Sequence, residues 1–195
     1  MRFGDAALAD SNSISESLTG QKILVGVSGG IAAYKSATLV SRLVQAGASC
    51  QVLMTDSATR FIGEATFLAL SGKPVARNLF DERFPLGPHI ELARDYDWLV
   101  VAPATANFFA KAANGIADDL LSTLILSFTG TRVYAPAMNC EMWENPAVQR
   151  NVKQVANDGA TLVGPEEGWL SCRVKGKGRM AEPEQILEVI AQLSS

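Results

Sequence analysis

Short apolar runs that alternate with helical patterns constrain the fold of this chain more than any other feature. The two clearest runs are Lys22–Val27 (KILVGV) and residues 98–102 (WLVVA), and weaker runs cover Ser49–Met54, 132–135 and 161–163. Runs of this length without polar alternation are typical of strands that are buried on both faces. Because helical patterns separate the strands, the sequence predicts an α/β fold: a three-layer αβα sandwich with a parallel, Rossmann-like or flavodoxin-like sheet.

Further patterns divide the chain into a leader and one domain with an irregular segment. Residues 1–20 are polar and lack the apolar stretch of a secretory signal, so we interpret them as a disordered leader. Residues 21–195 are predicted to form a single domain. Residues 75–80 are predicted to be a further strand. Residues 164–180 show no clear period and are predicted to be a lid or a disordered segment.

Composition argues against several classes of function. No apolar run approaches the roughly 18–20 residues that a membrane span requires. A net charge of −3 gives no reason to expect nucleic acid or an anionic membrane as a partner. The three cysteines, Cys50, Cys140 and Cys172, form no C-x-x-C pair and are odd in number. That pattern argues against a disulfide or zinc framework, so we expect a cytoplasmic protein without a metal site.

Polar turns follow four of the predicted strands, at the edge of the sheet where open α/β proteins bind ligands. The turns are Ser28-Gly29-Gly30, Thr55-Asp56-Ser57, Thr105-Ala106-Asn107 and Ala137-Met138-Asn139. Parallel strands end at one edge, so the four turns are expected to form one site. The first turn combines a hydroxyl with backbone N–H groups at a helix start and predicts a phosphate site, unless its glycines merely permit a tight turn. The short polar side chains of the other turns could, taken singly, be helix caps.

The first turn matches neither of the common nucleotide-binding motifs. Gly26 is followed two residues later by Ser28 instead of glycine, and Tyr34 stands where a P-loop has the glycine before its Lys-Ser pair. Asp56 follows the second strand, where a dinucleotide-binding protein carries a ribose-binding acid. A dinucleotide therefore stays open as an alternative.

Three further positions carry groups that could act chemically. His89, the only histidine, is either the candidate for acid–base chemistry near neutral pH or a capping or packing residue. Cys172 lies in a stretch with four cationic residues, which favours its thiolate if the charges are close in space. The same stretch could instead bind an anionic substrate or be a solvated loop. Asn139 lies between Met138 and Met142, so its loop either packs inward or holds a ligand.

Five motifs give the chain a specific resemblance to a known family. They are SGGIAAYK (28–35), HIELA (89–93), PATAN (103–107), PAMNCEMW (136–143) and GRMAEP (178–183). The chain resembles the flavin-dependent cysteine decarboxylases, most closely the branch that acts in coenzyme A biosynthesis. The resemblance implies a lyase with FMN as cofactor that converts 4′-phospho-N-pantothenoylcysteine to 4′-phosphopantetheine. It also implies a homotrimer, or a homododecamer of four trimers, with FMN and substrate at subunit interfaces.

The same resemblance implies roles for individual residues. His89 would be the catalytic histidine, Cys172 a proton donor on the lid, and Asn139 the group that holds the substrate carboxylate. The FMN-binding residues would be Ser28, Gly29, Gly30, Ile31, Thr55, Ser57, Thr105, Ala106, Asn107, Phe108 and Ala137. The substrate-binding residues would be Asn139, Met142, Trp169, Leu170 and Ser171.

The chain departs from the family pattern at two places, and three other functions stay open. Members commonly carry A-C-G-D where this chain has Ser171-Cys172-Arg173-Val174, and many carry Thr where it has Phe108. The alternatives are a decarboxylase of a peptide's C-terminal cysteine, a flavin-binding regulatory protein without turnover, and a flavin prenyltransferase, against which the PAMN motif counts. Because bacterial relatives are often fused to a ligase domain, we expect a free-standing enzyme or one half of a longer chain.

Overall fold

Five parallel strands form the central sheet of the computed structural model, which describes residues 11–194. The strands are β1 (Lys22–Val27), β2 (Ser49–Met54), β3 (Trp98–Ala104), β4 (Thr131–Pro136) and β5 (Thr161–Leu162). Their order is β2-β1-β3-β4-β5, and every neighbouring pair is parallel. The order reverses between β1 and β3, which is the switch point of a flavodoxin-like sheet. The predicted fold class is confirmed.

Helices cover both faces of this sheet. They are α1 (Ser11–Leu18), α2 (Ala33–Gln45), α3 (Glu64–Ser71), α4 (Pro88–Asp95), α5 (Ala106–Asn114), α6 (Leu120–Ser127), α7 (Cys140–Glu144), α8 (Pro146–Asn157) and α9 (Pro183–Ser194), with a 3₁₀ turn at Ala58–Arg60. Val25 of β1 packs with α2, α3 and α9 on one face, and Leu24 packs with α4, α5, α6 and α8 on the other. The strands are thus apolar on both faces, as the continuous runs predicted. Within residues 11–194, no helix combines the length and the apolar character that crossing a membrane requires.

The N-terminal helix corrects one prediction. Residues 11–18, interpreted from the sequence as part of a disordered leader, form α1. Leu18 is fully buried, and Ile14 packs against the same core cluster, which also contains Ile190 of α9. The sequence did not predict this helix, because the surface that covers it comes from the other end of the chain. Residues 1–10, the rest of the predicted leader, lie outside the described residues.

Residues 164–180 were predicted to be a lid or a disordered segment; an antiparallel hairpin excludes the second alternative, and the lid stays a prediction. The hairpin consists of β6 (Glu166–Trp169) and β7 (Lys175–Arg179), which form a separate two-stranded sheet. Most residues of both strands are charged or glycine. Without an apolar alternation, the sequence contained no strand signal at this place.

The prediction of a strand at 75–80 is wrong, because only one of these residues pairs with the sheet. Ala76 forms a single bridge to Leu53 of β2. The next side chain, Arg77, pairs with Asp56 at 2.8 Å and with Glu64. Ion pairs thus replace a backbone ladder, and the chain leaves the sheet after one residue.

Leu18→Ala should lower the free energy of unfolding by about 2–5 kcal/mol, because it removes a fully buried side chain and leaves a cavity. Glu16→Ala, at an exposed position of the same helix, is the matched control and should change that free energy by less than about 0.5 kcal/mol. Urea denaturation followed by circular dichroism measures both. Equal stability of the two variants would contradict the docking of α1 on the domain.

Candidate functional site

An open cleft of about 820 Å³ lies at the carboxyl edge of the sheet, where β1, β2, β3 and β4 end. Its wall contains every residue predicted to bind FMN or substrate: Ser28, Gly29, Gly30, Ile31, Thr55, Ser57, Thr105, Ala106, Asn107, Phe108, Ala137, Asn139, Met142, Trp169, Leu170 and Ser171. The structure therefore brings these residues together, while their binding roles stay predictions.

The turns after β1 and β2 approach each other so closely that one position admits only glycine. A Cβ atom at Gly29 would lie 2.4 Å from Ser57 Oγ and 2.9 Å from the backbone carbonyl carbon of Ser57. Ser57 Oγ is itself 3.1 Å from Thr55 Oγ1. Glycine permits this close backbone approach, whereas any side chain would displace the second turn. Gly29 thus lets two hydroxyl groups lie beside the first turn.

Ser28 connects the first turn to the turn after β3. Its side chain is buried, and Oγ donates a hydrogen bond of 2.7 Å to the carbonyl oxygen of Pro103. The backbone N–H of Thr105 donates to Ser28 Oγ at 3.2 Å. Thr105 in turn caps α5 by accepting from the N–H of Phe108. Ser28 is therefore a structural link between two turns as well as part of the cleft wall.

Asn139 is oriented by a hydrogen bond of its own side chain. It is the N-cap of α7, and Oδ1 accepts a bond of 2.8 Å from the N–H of Met142. That bond occupies the amide oxygen and leaves the NH₂ group, with two N–H donors, for a ligand. A neutral double donor of this kind is suited to a carboxylate.

The hairpin packs directly on the loop that carries Asn139. The carbonyl oxygen of Gly178 accepts a hydrogen bond of 3.0 Å from the N–H of Met138. A Cβ atom at Gly178 would lie only 2.2 Å from the carbonyl oxygen of Met138, and the φ angle of +148° also favours glycine. A Cβ atom at Gly176 would meet Cys140 Cβ at 2.8 Å. Two glycines of β7 thus bring the hairpin into backbone contact with the loop.

An ion pair between a buried lysine and a half-buried glutamate joins α2 to the base of the hairpin. The Lys35 side chain is 7% exposed, and Nζ lies 2.9 Å from Glu182 Oε1 and 3.0 Å from the carbonyl oxygen of Met180. The hydrogen bond from Lys35 lowers the pKa of the Glu182 carboxyl. Arg179 contacts the same carboxylate oxygen at 2.5 Å. Glu182 therefore contacts two cations of the cleft wall.

A second group of paired charges joins α5 to the start of α6. Lys111 Nζ lies 2.6 Å from Asp118 Oδ1 and 2.7 Å from Asp119 Oδ2. The hydrogen bond from Lys111 lowers the pKa of Asp118. Asp119 and Ser122 form a capping box at the start of α6. One ammonium group thus faces two carboxylates within the wall.

The two predicted catalytic residues are not in the wall of the cleft. His89 lies in the first turn of α4, and its Nδ1 is buried with no hydrogen-bond partner among the described residues. Cys172 is exposed in the turn between β6 and β7, directly after Ser171, which does line the cleft. Their catalytic roles stay predictions.

The other two cysteines, Cys50 and Cys140, are less exposed than Cys172. Cys50 is 1% exposed in the core, and burial raises the pKa of its thiol to about 12. Cys140 is partly buried, and burial raises its pKa as well. In the part of the chain that the structure describes, no group of three or more His, Cys, Asp or Glu side chains could hold a metal ion.

Comparison with known proteins identifies the family. Residues 11–195 match the Flavoprotein family. The chain belongs to this flavoprotein family. It is 48% identical over 173 residues to the coenzyme A biosynthesis bifunctional protein CoaBC of Bacillus subtilis and 46% identical to that of Mycobacterium tuberculosis. The alignments cover 88% and 89% of this chain but 43% and 41% of the relatives, so the chain spans less than half of their length.

Solved structures share the fold of this flavoprotein over nearly the whole chain. A mutant PPC decarboxylase in complex with pantothenoylaminoethenethiol has a TM-score of 0.80 at 30% identity, covering 89% of this chain and 98% of that one. The FMN-dependent cysteine decarboxylase SpaF has a TM-score of 0.80 at 32% identity, covering 91% and 98%.

Sequence analysis missed several charged residues in the cleft wall of this flavoprotein. They are Lys35, Lys111, Asp118 and Asp119. Lys35 follows Ile31 by one helical turn, and that spacing could have indicated a shared face with the first polar turn. The other three gave no comparable signal, because their positions depend on how α5 packs against the start of α6.

Gly178→Ala should lower the free energy of unfolding by at least about 1–3 kcal/mol, because the new Cβ meets a backbone oxygen at an unfavourable φ angle. Gly168→Ala, on the paired strand, is the control: its Cβ meets the side chain of Arg179, which can move. Its effect should be clearly smaller in the same urea titration. If Gly178→Ala is as stable as the unmodified protein, the contact between the hairpin and Met138 does not exist in solution.

Proposed function

We propose that this flavoprotein is an FMN-dependent decarboxylase that converts 4′-phospho-N-pantothenoylcysteine to 4′-phosphopantetheine. The observation that carries the proposal is the meeting of glycine- and hydroxyl-bearing turns with the amide of Asn139 in one cleft. The CoaBC relatives are named for coenzyme A biosynthesis, which supports a lyase of that pathway. We further propose that it acts in the cytoplasm. The identity to CoaBC of Bacillus subtilis, 48%, exceeds the 32% to SpaF and favours this substrate over a peptide's C-terminal cysteine.

The residues of the cleft fit FMN. Gly29 and Gly30 precede α2, and backbone N–H groups at a helix start bind phosphate. The hydroxyls of Thr55 and Ser57 lie beside this turn because Gly29 admits their close approach. In the proposal, Ser28 to Ile31 with Thr55 and Ser57 hold the phosphate end, while residues 105–108 and Ala137 contact the rest of the cofactor.

The chemistry of the substrate explains why a flavin is needed. Loss of CO₂ from a cysteine carboxylate would leave an electron pair on carbon without stabilisation. If the thiol is first oxidised to a thioaldehyde, that pair moves to sulfur and an enethiolate forms. When bound, FMN supplies the two-electron acceptor for the thiol and the two-electron donor for the enethiolate. The chain itself must bind the substrate, orient it and transfer protons.

Asn139 is proposed to hold the departing carboxylate. Its amide oxygen is engaged by Met142, so the two amide N–H groups can donate to both carboxylate oxygens. A cation at this place would stabilise the carboxylate charge of the ground state, which is lost as CO₂ leaves. A neutral donor orients the carboxylate and stabilises the ground state less than a cation would.

His89 and Cys172 are proposed to reach the cleft through assembly and through the hairpin. Nδ1 of His89 has no partner among the described residues, and in the preceding segment Phe80 is 86% and Leu86 63% exposed. Exposed apolar side chains of this size favour a covered interface. We therefore propose a homotrimer or a tetramer of trimers, in which His89 of one copy completes the cleft of another. Cys172, at the hairpin tip, would protonate the enethiolate when the hairpin acts as a lid.

The unmodified protein should form CO₂ and 4′-phosphopantetheine from 4′-phospho-N-pantothenoylcysteine, and Cys172→Ser should release CO₂ but stop at the enethiol. The reason is that a serine hydroxyl is a far weaker acid than a thiol and cannot complete the second half of the reaction. Mass spectrometry of a single turnover without oxygen, with CO₂ trapped in parallel, measures both products.

Two further variants locate the effect of that substitution. His89→Asn should release no CO₂, because the first half of the reaction does not begin. Cys140→Ser, whose thiol packs beside Gly176, should complete the reaction. If Cys172→Ser forms 4′-phosphopantetheine at the unmodified rate, Cys172 is not the proton donor, and absence of CO₂ with the unmodified protein would reject the proposed function.

Asn139→Asp should keep the N-cap of α7 and FMN binding but lower kcat/KM by ~100-fold or more, because it replaces two donors with a charge that repels the substrate carboxylate. Asn145→Asp is the matched control, since Asn145 caps α8 in the same way outside the cleft. Steady-state kinetics and the flavin absorbance of both variants measure the effect. Equal kcat/KM for the two variants would remove Asn139 from substrate binding.

A further inference from the structure

The imidazole ring of His89 is enclosed at one of its two nitrogens. Nδ1 is buried without a hydrogen-bond partner among the described residues, whereas Nε2 is not enclosed in this way by them. The residue as a whole is only partly buried. A group on another copy of the chain cannot reach the enclosed nitrogen, so any hydrogen bond that the ring makes across an interface has to go through Nε2.

Gly87 provides the enclosure. A Cβ atom at Gly87 would lie 3.2 Å from Cε1 of His89 and 3.4 Å from Nδ1, so the glycine itself packs against this edge of the ring. Its φ angle of +92° is in the range that glycine adopts at the least cost. The carbonyl oxygen of Gly87 also accepts the first hydrogen bonds of α4, from the N–H groups of Ile90 and Glu91 at 3.0 and 3.1 Å. The position of the ring therefore depends on how Gly87 is held at the start of α4.

Glu91 holds this start from within the helix. Gly87 is the N-cap of α4 and has no side chain to cap it. Instead, Oε1 of Glu91 accepts a hydrogen bond of 2.7 Å from the backbone N–H of Leu86. That bond closes the segment from Leu86 to Glu91 into a loop that contains both Gly87 and His89. Ser127 of α6 fixes the other side, because its Oγ donates a bond of 3.0 Å to the carbonyl oxygen of His89.

We propose that Glu91 is a positioning residue for His89. Its carboxylate holds Leu86 and Gly87 against the start of α4, which keeps Nδ1 enclosed and leaves Nε2 as the nitrogen that enters the cleft of a second copy. The inference rests on the proposed function, in which His89 completes that cleft, and adds to it the acting nitrogen and the residue that orients it. The proposed carboxylate contact at Asn139 lies outside this segment, so a displaced imidazole should lower kcat and leave KM unchanged.

Glu91→Ala removes the acceptor for the N–H of Leu86. We expect kcat for CO₂ release from 4′-phospho-N-pantothenoylcysteine to fall by roughly three- to tenfold, the range for loss of one partly exposed hydrogen bond, with KM and bound FMN unchanged. Glu91→Gln keeps an acceptor oxygen and should stay within about twofold of the unmodified kcat. Glu184→Ala is the matched control, because Glu184 lies in the first turn of α9, which also begins with a proline. It removes the same kind of interaction with a helix dipole and should leave kcat unchanged.

The geometry of the ring can be measured without turnover, because His89 is the only histidine of the chain. In FMN-bound protein with isotope-labelled histidine and glycine, a nuclear Overhauser effect should join Hε1 of His89 to the Hα atoms of Gly87. Glu91→Ala should weaken this signal, whereas Glu91→Gln and Glu184→Ala should keep it. A role of Glu91 in stability alone would lower the free energy of unfolding without changing the signal.

Three results would overturn the inference. They are an unchanged Overhauser signal in Glu91→Ala, a kcat that stays the same although the signal is lost, and a Glu91→Gln variant that loses as much kcat as Glu91→Ala. The last result would mean that the charge of Glu91 acts, and not its hydrogen bond. If the signal depends on Glu91 as expected but the unmodified protein releases no CO₂, the orientation of His89 stands and the proposed decarboxylation is wrong.

Discussion

The close approach of the first two turns is the constraint on which the rest of the site depends. Gly29 lies against Ser57, and the adjacent Ser28 is bonded to the carbonyl oxygen of Pro103. Because β1 lies between β2 and β3 in the sheet, this one turn is fixed to the ends of both neighbouring strands. The hydroxyls of the cleft then have defined positions, since each is attached to a strand whose register is set by the buried sheet.

The hairpin is coupled to this arrangement by backbone contact and by charge. Met138 donates to the carbonyl oxygen of Gly178, while the ammonium group of Lys35 is buried against Glu182. A buried cation without a partner is strongly unfavourable, so this contact stabilises the start of α2 against the base of the hairpin. The tip is different, because residues 171–175 are all exposed. Any movement of the hairpin over the cleft is therefore easiest at the tip, which carries Cys172 and Arg173.

The sequence predicted those features that depend on local pattern and failed where distant segments supply the partner. Buried parallel strands leave continuous apolar runs, and the polar turns after them had to meet at one edge, so the cleft wall could be predicted. Leu18 of α1 gave no signal because it is covered partly by α9, 165 or more positions later in the chain. The hairpin gave none because its contacts are made by glycines such as Gly178, which have no apolar period. The motif identified His89 as a candidate, but the sequence could not predict that His89 lies outside the cleft wall of its own chain. In the proposed assembly, a second copy of the chain is needed to complete that part of the site.

The distribution of charge in the cleft follows from the reaction that is proposed for it. Lys35, Lys111 and Arg179 all lie in the wall, yet each is paired with a carboxylate of the chain itself. These pairs reduce the positive field where a substrate carboxylate must lose its charge, and they leave Asn139 as a neutral partner for it. A strongly cationic cleft would bind the substrate more tightly and decarboxylate it more slowly, because only interactions that are stronger in the transition state than in the ground state lower the barrier.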